Sequence, residues 1–106
     1  MIGKGISRLL DQIQEYAPKA EVLLISPIYL GKKVWQEEYD QEFSRESVTV
    51  SRNLQPVYEK IARYRQIEFL PAADHVKCCE ADQEHLNAEG HKKFAEVVYR
   101  KLQKLL

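Results

Sequence analysis

Long apolar runs are what this sequence most clearly lacks. Its longest, Val22–Ile25, falls far short of the ~20 residues that a membrane-spanning helix needs. The residues that follow Met1 contain no apolar stretch of the kind found in a signal peptide. An excess of charge of one sign is also lacking, because 16 basic residues balance 16 acidic ones. We therefore expect neither nucleic acid nor a membrane as a partner.

Cysteine is scarce, and the two cysteines present, Cys78 and Cys79, are neighbours. Neighbouring cysteines rarely bridge each other, because the ring would strain the peptide bond between them. We interpret both as free thiols in a reducing compartment, which predicts a cytoplasmic protein. With 44% hydrophobic and 30% charged residues, the composition indicates one folded domain over residues 1–106 rather than a disordered chain.

Five segments with regular apolar spacing predict the secondary structure. Spacings of three and four residues favour helices over residues 2–17, over residues 47–64 and after Asn87, which is a good N-cap. Residues 21–26 and 67–70 are short and mostly apolar, which favours strands that are covered on both faces. Helices and strands that alternate in this way imply an α/β fold with a parallel sheet.

Several features of this pattern need the structure to decide them. Pro56 lies inside the second helical segment, where it either kinks the helix or marks its true start. Residues 28–46 have no clear period and predict a long loop with at most a short helical turn. Two parallel strands alone make a marginal sheet, so we expect part of a larger one. The last helix is expected to bury a stripe formed by Phe94, Ala95, Val98, Leu102 and Leu105.

The segment before the last helix contains the most promising chemistry. Asp82 and His85 would lie beyond the carboxyl end of the second strand, where open α/β sheets place their ligand sites. A carboxylate beside an imidazole fixes the tautomer of the ring and stabilises the imidazolium that forms when the ring accepts a proton. The spacing alone favours a surface ion pair or a helix cap over an acid–base pair, so the flanking residues have to decide.

Other polar and aromatic residues are weaker candidates. The possible metal ligands are Asp74, His75, Cys78, Cys79, Asp82 and His85. Adjacent cysteines cannot easily bind one ion tetrahedrally, so we predict no metal and no cofactor. Ser26 ends a strand but lacks the flanking glycines of a nucleophile elbow. The rings of Tyr29, Trp35 and Tyr39 could line an acyl pocket or simply pack on their own sheet.

The block Asp-Gln-Glu-His-Leu-Asn-Ala-Glu-Gly-His, residues 82–91, resembles the last conserved block of the SGNH (GDSL) hydrolase family. Residues 22–27, Val-Leu-Leu-Ile-Ser-Pro, are similar to that family's penultimate core strand, and the later segments fit its arylesterase-like branch. The resemblance implies the C-terminal portion of a flavodoxin-like three-layer α/β/α fold, with two parallel strands and about three main helices. It also implies hydrolysis of esters or thioesters by a Ser-His-Asp triad, with Asp82 as the acid and His85 as the general base.

The family's nucleophile block has no counterpart in this sequence. Neither a Gly-Asp-Ser nor a Gly-x-Asn-Asp block is present, and Gly3-Lys4-Gly5 does not match them. We therefore expect a fragment that is inactive alone, since it lacks both the nucleophile and the oxyanion donors. One alternative is a non-catalytic half-domain that forms a homo-oligomer through the free edge of residues 22–26. A metal- or thiol-dependent module that uses the two cysteines is the least favoured hypothesis.

Overall fold

The computed structural model of the chain describes residues 2–40 and 42–106. In chain order the elements are α1 (Ile2–Tyr16), β1 (Leu23–Ser26), α2 (Arg45–Arg65), β2 (Glu68–Pro71), a 3-10 turn (Ala72–Asp74) and α3 (Ala88–Leu105). The two strands pair in parallel, with Leu24 opposite Phe69. The predicted α/β class, with two parallel strands and three main helices, is confirmed. No helix within the described ranges is both long enough and apolar enough to cross a bilayer.

Helix α2 begins earlier than its apolar spacing predicted and continues through Pro56. Ser44 caps it, because its hydroxyl accepts a hydrogen bond from the amide of Ser47 and its amide donates to the hydroxyl of Ser47, at 3.0 Å. Such a reciprocal cap satisfies two amides that a helix start would otherwise leave free. Of the two interpretations of Pro56, a helix start is therefore wrong.

The core lies where α2 and the loop after β1 meet the sheet. Helix α2 contacts both strands, and α1 packs on α2. Val34 is 0% exposed although it belongs to the loop predicted from residues 28–46, which shows no apolar period. The loop is therefore fixed to the core at its middle as well as at its ends. The buried apolar residues are Leu10, Val34, Ala62, Leu70, Ala72 and Val76.

Two predictions of burial are wrong. Within the described chain, none of the apolar stripe of α3 is buried, and Leu102 is 38% exposed. Helix α3 makes no extensive contact with another described element, although Lys101 forms an ion pair with Glu68 of β2 at 3.2 Å. The first three residues of β1 are half-buried rather than covered on both faces. In both cases the part of the chain that the structure describes offers too little surface for the apolar face to pack against.

Candidate acid–base site

Asp82 and His85 lie in the loop between β2 and α3, beyond the carboxyl end of β2. Nδ1 of His85 is 2.7 Å from Oδ2 of Asp82, so the two side chains converge as their spacing suggested. The imidazole is 76% exposed and the carboxylate 40%. Because Nδ1 is occupied by the carboxylate, Nε2 is the ring nitrogen left to exchange a proton with a reactant.

Hydrogen bonds inside the turn fix the carboxylate of Asp82. Its Oδ1 accepts from the backbone amides of Glu84, at 2.9 Å, and His85, at 3.0 Å. The thiol of Cys79 donates to the same oxygen at 3.1 Å. The two amides, helped by the imidazole and the thiol, hold the pKa of Asp82 well below its usual range. Asp82 is therefore ionised at neutral pH and held in one orientation.

The carboxylate in turn changes the basicity of its partner. The hydrogen bond to Asp82, together with the negative charge of Asp82, raises the pKa of His85 above its ordinary value of 6.5. Partial burial and the nearby carboxyl group of Asp40 raise the pKa of Glu84. Asp82 thus stabilises an imidazolium at His85, which is what a general base needs once it has taken a proton.

The described residues do not bring the six possible metal ligands together as one cluster. The group whose ligand atoms lie within 4.8 Å of one another is Asp82, Glu84 and His85. Three donors already occupy Oδ1 of Asp82, and the imidazole occupies Oδ2. A cation would have to displace the imidazole from this carboxylate. The arrangement therefore suits proton transfer better than metal binding.

Both cysteines are free thiols, as predicted. Burial, followed by the neighbouring groups of Cys79, Asp82 and Glu80, raises the pKa of Cys78. A thiol held in its protonated form is a poor metal ligand and a poor nucleophile.

Asp74 lies apart from the Asp82–His85 turn. Its carboxylate accepts a hydrogen bond from Gln55 at 3.1 Å.

Ser26 is unsuited to be a nucleophile. It is 0% exposed at the end of β1, and its hydroxyl has no hydrogen-bond partner among the described residues. A substrate could not reach this oxygen without opening the core. The prediction that Ser26 is not a nucleophile agrees with this burial.

The aromatic rings after β1 pack beside arginines of α2. Arg45 lies over the ring of Trp35 at 4.3 Å, and Arg52 lies over the ring of Tyr29 at 4.9 Å. The indole nitrogen of Trp35 donates to the carbonyl of Lys32 at 2.8 Å. These contacts favour loop packing over an acyl pocket for the two rings.

Gln83 is the residue of the turn that the sequence did not single out. It is 6% exposed, and its backbone has a left-handed φ of 63°. Glycine and asparagine are the usual signals of this conformation, so a glutamine gives no warning of it. A buried polar side chain between Asp82 and His85 indicates that the turn is anchored to another part of the chain.

No protein-family model and no curated protein sequence matches the chain. Solved structures do match it. Est24, a carbohydrate acetylesterase from Sinorhizobium meliloti, is 23% identical with a TM-score of 0.83, and the match covers 99% of this chain and 51% of that one. The native M. smegmatis aryl esterase is 20% identical with a TM-score of 0.80, over 99% and 51% of the two chains. A further crystal structure is 25% identical with a TM-score of 0.89, over 99% and 50%.

The chain thus spans about half the length of the solved structures that it matches. Over that half it has the α/β fold of carbohydrate acetylesterases and aryl esterases. This fold agrees with the α/β fold that the resemblance of residues 82–91 implies. At these identities the likeness establishes the fold, and the chemistry has to be argued from the site.

Proposed function

We propose that this chain is the C-terminal portion of an SGNH hydrolase domain and supplies the acid and the base of a serine ester-hydrolase site. The observation that carries the proposal is the 2.7 Å hydrogen bond between Asp82 and His85, at a sheet end of an esterase fold. Asp82 orients the imidazole, and Nε2 of His85 takes the proton of the nucleophilic serine and later activates water. The substrate is a small-molecule ester or thioester, and no cofactor takes part.

The serine has to come from outside the 106 residues, because they contain no Gly-Asp-Ser block. We assign it, with the oxyanion donors, to a segment that precedes this sequence in one protein, which we call the full-length protein. The two free thiols favour the cytoplasm as the compartment of that protein. The gene is the first check, since a reading frame without a Gly-Asp-Ser segment upstream of residue 1 would contradict the assignment.

Hydrolysis of p-nitrophenyl acetate tests whether this chain supplies only the acid and the base, and a preceding segment the nucleophile. The 106-residue chain alone should work no faster than a free imidazole, and His85→Ala should change its rate by no more than about twofold, because neither a nucleophile nor an oxyanion hole is present. The full-length protein should hydrolyse the ester in a serine-dependent manner. Initial rates followed by absorbance give both results. A fast rate for the short chain that His85→Ala abolishes would contradict the proposal, since the nucleophile would then lie within this chain or its dimer.

A second candidate function is association between copies through the outer edge of β1. Among the described residues β1 has one strand neighbour, β2, so its other edge is open. Open strand edges pair with other chains, and two-stranded sheets are marginal alone. Such a protein would be a non-catalytic half-domain whose two β1 strands join into a four-stranded sheet.

Sedimentation equilibrium at micromolar concentration tests this second function. We expect a homodimer that survives Leu9→Glu, because Leu9 belongs to α1 rather than to β1 and is 56% exposed. A dimer that this substitution dissociates would place the contact on the helices instead. A clean monomer would remove the candidate altogether.

A further inference from the structure

We propose that Gln83 is a positioning residue that ties the segment after β1 (residues 27–40, the β1 loop) to the Asp82–His85 turn and so sets how firmly Asp82 holds His85. The proposal rests on the proposed function only in regarding the pair as the acid and the base. Its contacts and its test do not depend on ester hydrolysis.

Gln83 connects the two segments through four hydrogen bonds. Its carbonyl accepts from the amide of Gly31 at 2.8 Å, and its Oε1 accepts from the amide of Lys33 at 3.2 Å. On the side of the turn, its amide donates to the carbonyl of Cys79 at 3.0 Å, and its Nε2 donates to the carbonyl of Glu80 at 3.2 Å. Backbone and side chain alike therefore join the β1 loop to the turn.

The contact between Gln83 and Gly31 leaves no room for a side chain at residue 31. A Cβ atom on residue 31 would lie 2.6 Å from Cδ and 2.8 Å from Cβ of Gln83, closer than real Cβ contacts. Gln83 is accordingly 6% exposed, although its neighbours Asp82 and Glu84 are ionisable. The β1 loop thus packs directly against the middle of the Asp82–His85 turn.

The backbone of Gln83 determines where the next two amides point. Those amides, of Glu84 and His85, donate to Oδ1 of Asp82. Their direction depends on the left-handed φ of 63° at Gln83, a conformation that a glutamine rarely adopts unless its surroundings hold it there. Without the β1 loop, Gln83 would relax toward an ordinary φ and turn both donors away from the carboxylate. The Asp82–His85 hydrogen bond would loosen with them.

Substitution of Gln83 by methionine tests this coupling in the 106-residue chain. Methionine keeps the length and bulk of the side chain but makes neither of its hydrogen bonds. We expect the pKa of His85, followed by NMR titration of its ring, to fall toward that of an unpaired imidazole. The amide of Lys33 should exchange with solvent about three- to tenfold faster, because it loses its acceptor.

A second variant guards against misfolding, and a matched residue serves as the control. Gln83→Gly lacks both side-chain hydrogen bonds but accepts a positive φ without strain, so exchange at Lys33 should speed up as in Gln83→Met while the pKa of His85 should fall less. Gln66 is also a glutamine in the left-handed region, with a φ of 57°, but it caps the C-terminus of α2 at the opposite end of β2. Gln66→Met should alter neither measurement.

The outcomes separate a positioning role from a merely structural one. In Gln83→Met, faster exchange at Lys33 with an unchanged pKa of His85 would mean that Gln83 only holds the loop, and would overturn the proposal. Unchanged exchange at Lys33 would overturn it too. An ester-hydrolysis test that fails while the pKa of His85 shifts as expected would remove the proposed function and leave the coupling intact.

Discussion

Replacing Asp82 by asparagine should lower kcat of the full-length protein for p-nitrophenyl acetate by about 10³–10⁴-fold, with little change in KM. Asparagine has nearly the shape of aspartate, but its amide cannot stabilise the imidazolium that forms at His85 during the reaction. Its nitrogen can also favour the wrong tautomer of the ring. In the mechanism that we propose, the loss falls on kcat because the carboxylate acts on the transition state rather than on substrate binding.

The same substitution should move the pH dependence of the reaction. The rate should rise as His85 loses its proton, at a pH above 6.5 because Asp82 raises the pKa of His85. Asparagine removes that cause, so the rise should occur at lower pH and end on a much lower plateau. A pH–rate profile of kcat/KM measures both effects.

The Asp82–His85 pair also makes the stability of the folded chain depend on pH, in a direction that follows from the two pKa shifts. The raised pKa of His85 contributes stability at low pH, which is lost as pH rises through the folded-state pKa. The lowered pKa of Asp82 contributes stability above its unfolded-state pKa, which is lost as pH falls through the folded-state pKa. The ion pair is complete only between these two limits.

Asp74→Asn is the matched control for Asp82→Asn. Asp74 belongs to the same connection between β2 and α3, but its carboxylate contacts Gln55 rather than an imidazole. Its substitution should change kcat by less than about twofold, as is usual for a group outside the reacting atoms. If Asp82→Asn kept its activity to within the same margin, Asp82 would not be the acid of the site.

Local rules predicted the features of this chain that depend on neighbouring residues. Apolar spacing identified three helices and two strands, and Asn87 caps α3 by accepting from the amide of Gly90 at 2.8 Å. The approach of Asp82 and His85 belongs to the same class, because their three-residue spacing in a turn lets the two side chains converge. That the pair lies at the end of β2 followed from the order of the elements alone.

Features that depend on distant residues could not be predicted in this way. Gln83 is buried by contacts with Gly31 and Lys33, roughly fifty positions earlier in the chain. Val34 is buried in a loop that has no periodicity to reveal it. The apolar stripe of α3 shows the converse error, since a pattern reports which face is apolar but not whether another surface covers it.

Replacing Gly31 by alanine should destabilise the chain by about 2 kcal/mol, the usual cost of forcing an extra methyl group into a filled space. Gly31 has no positive φ, so alanine causes no backbone strain, and the whole effect comes from the contact with Gln83. The near atoms include Cβ of Gln83, which cannot move without the backbone of the turn. Urea unfolding, with the midpoint and the slope fitted together, measures the loss.

Gly5→Ala is the control, because it adds the same methyl group where nothing lies within 4 Å. Since Gly5 lies in α1, alanine should stabilise the chain there by up to about 1 kcal/mol. Combining Gly31→Ala with Gln83→Gly should recover part of the loss, with a coupling energy of about 1 kcal/mol or more. If the effects of the two substitutions on the free energy of unfolding were simply additive, the β1 loop would not pack tightly against the turn. The loop could then not influence His85 through Gln83.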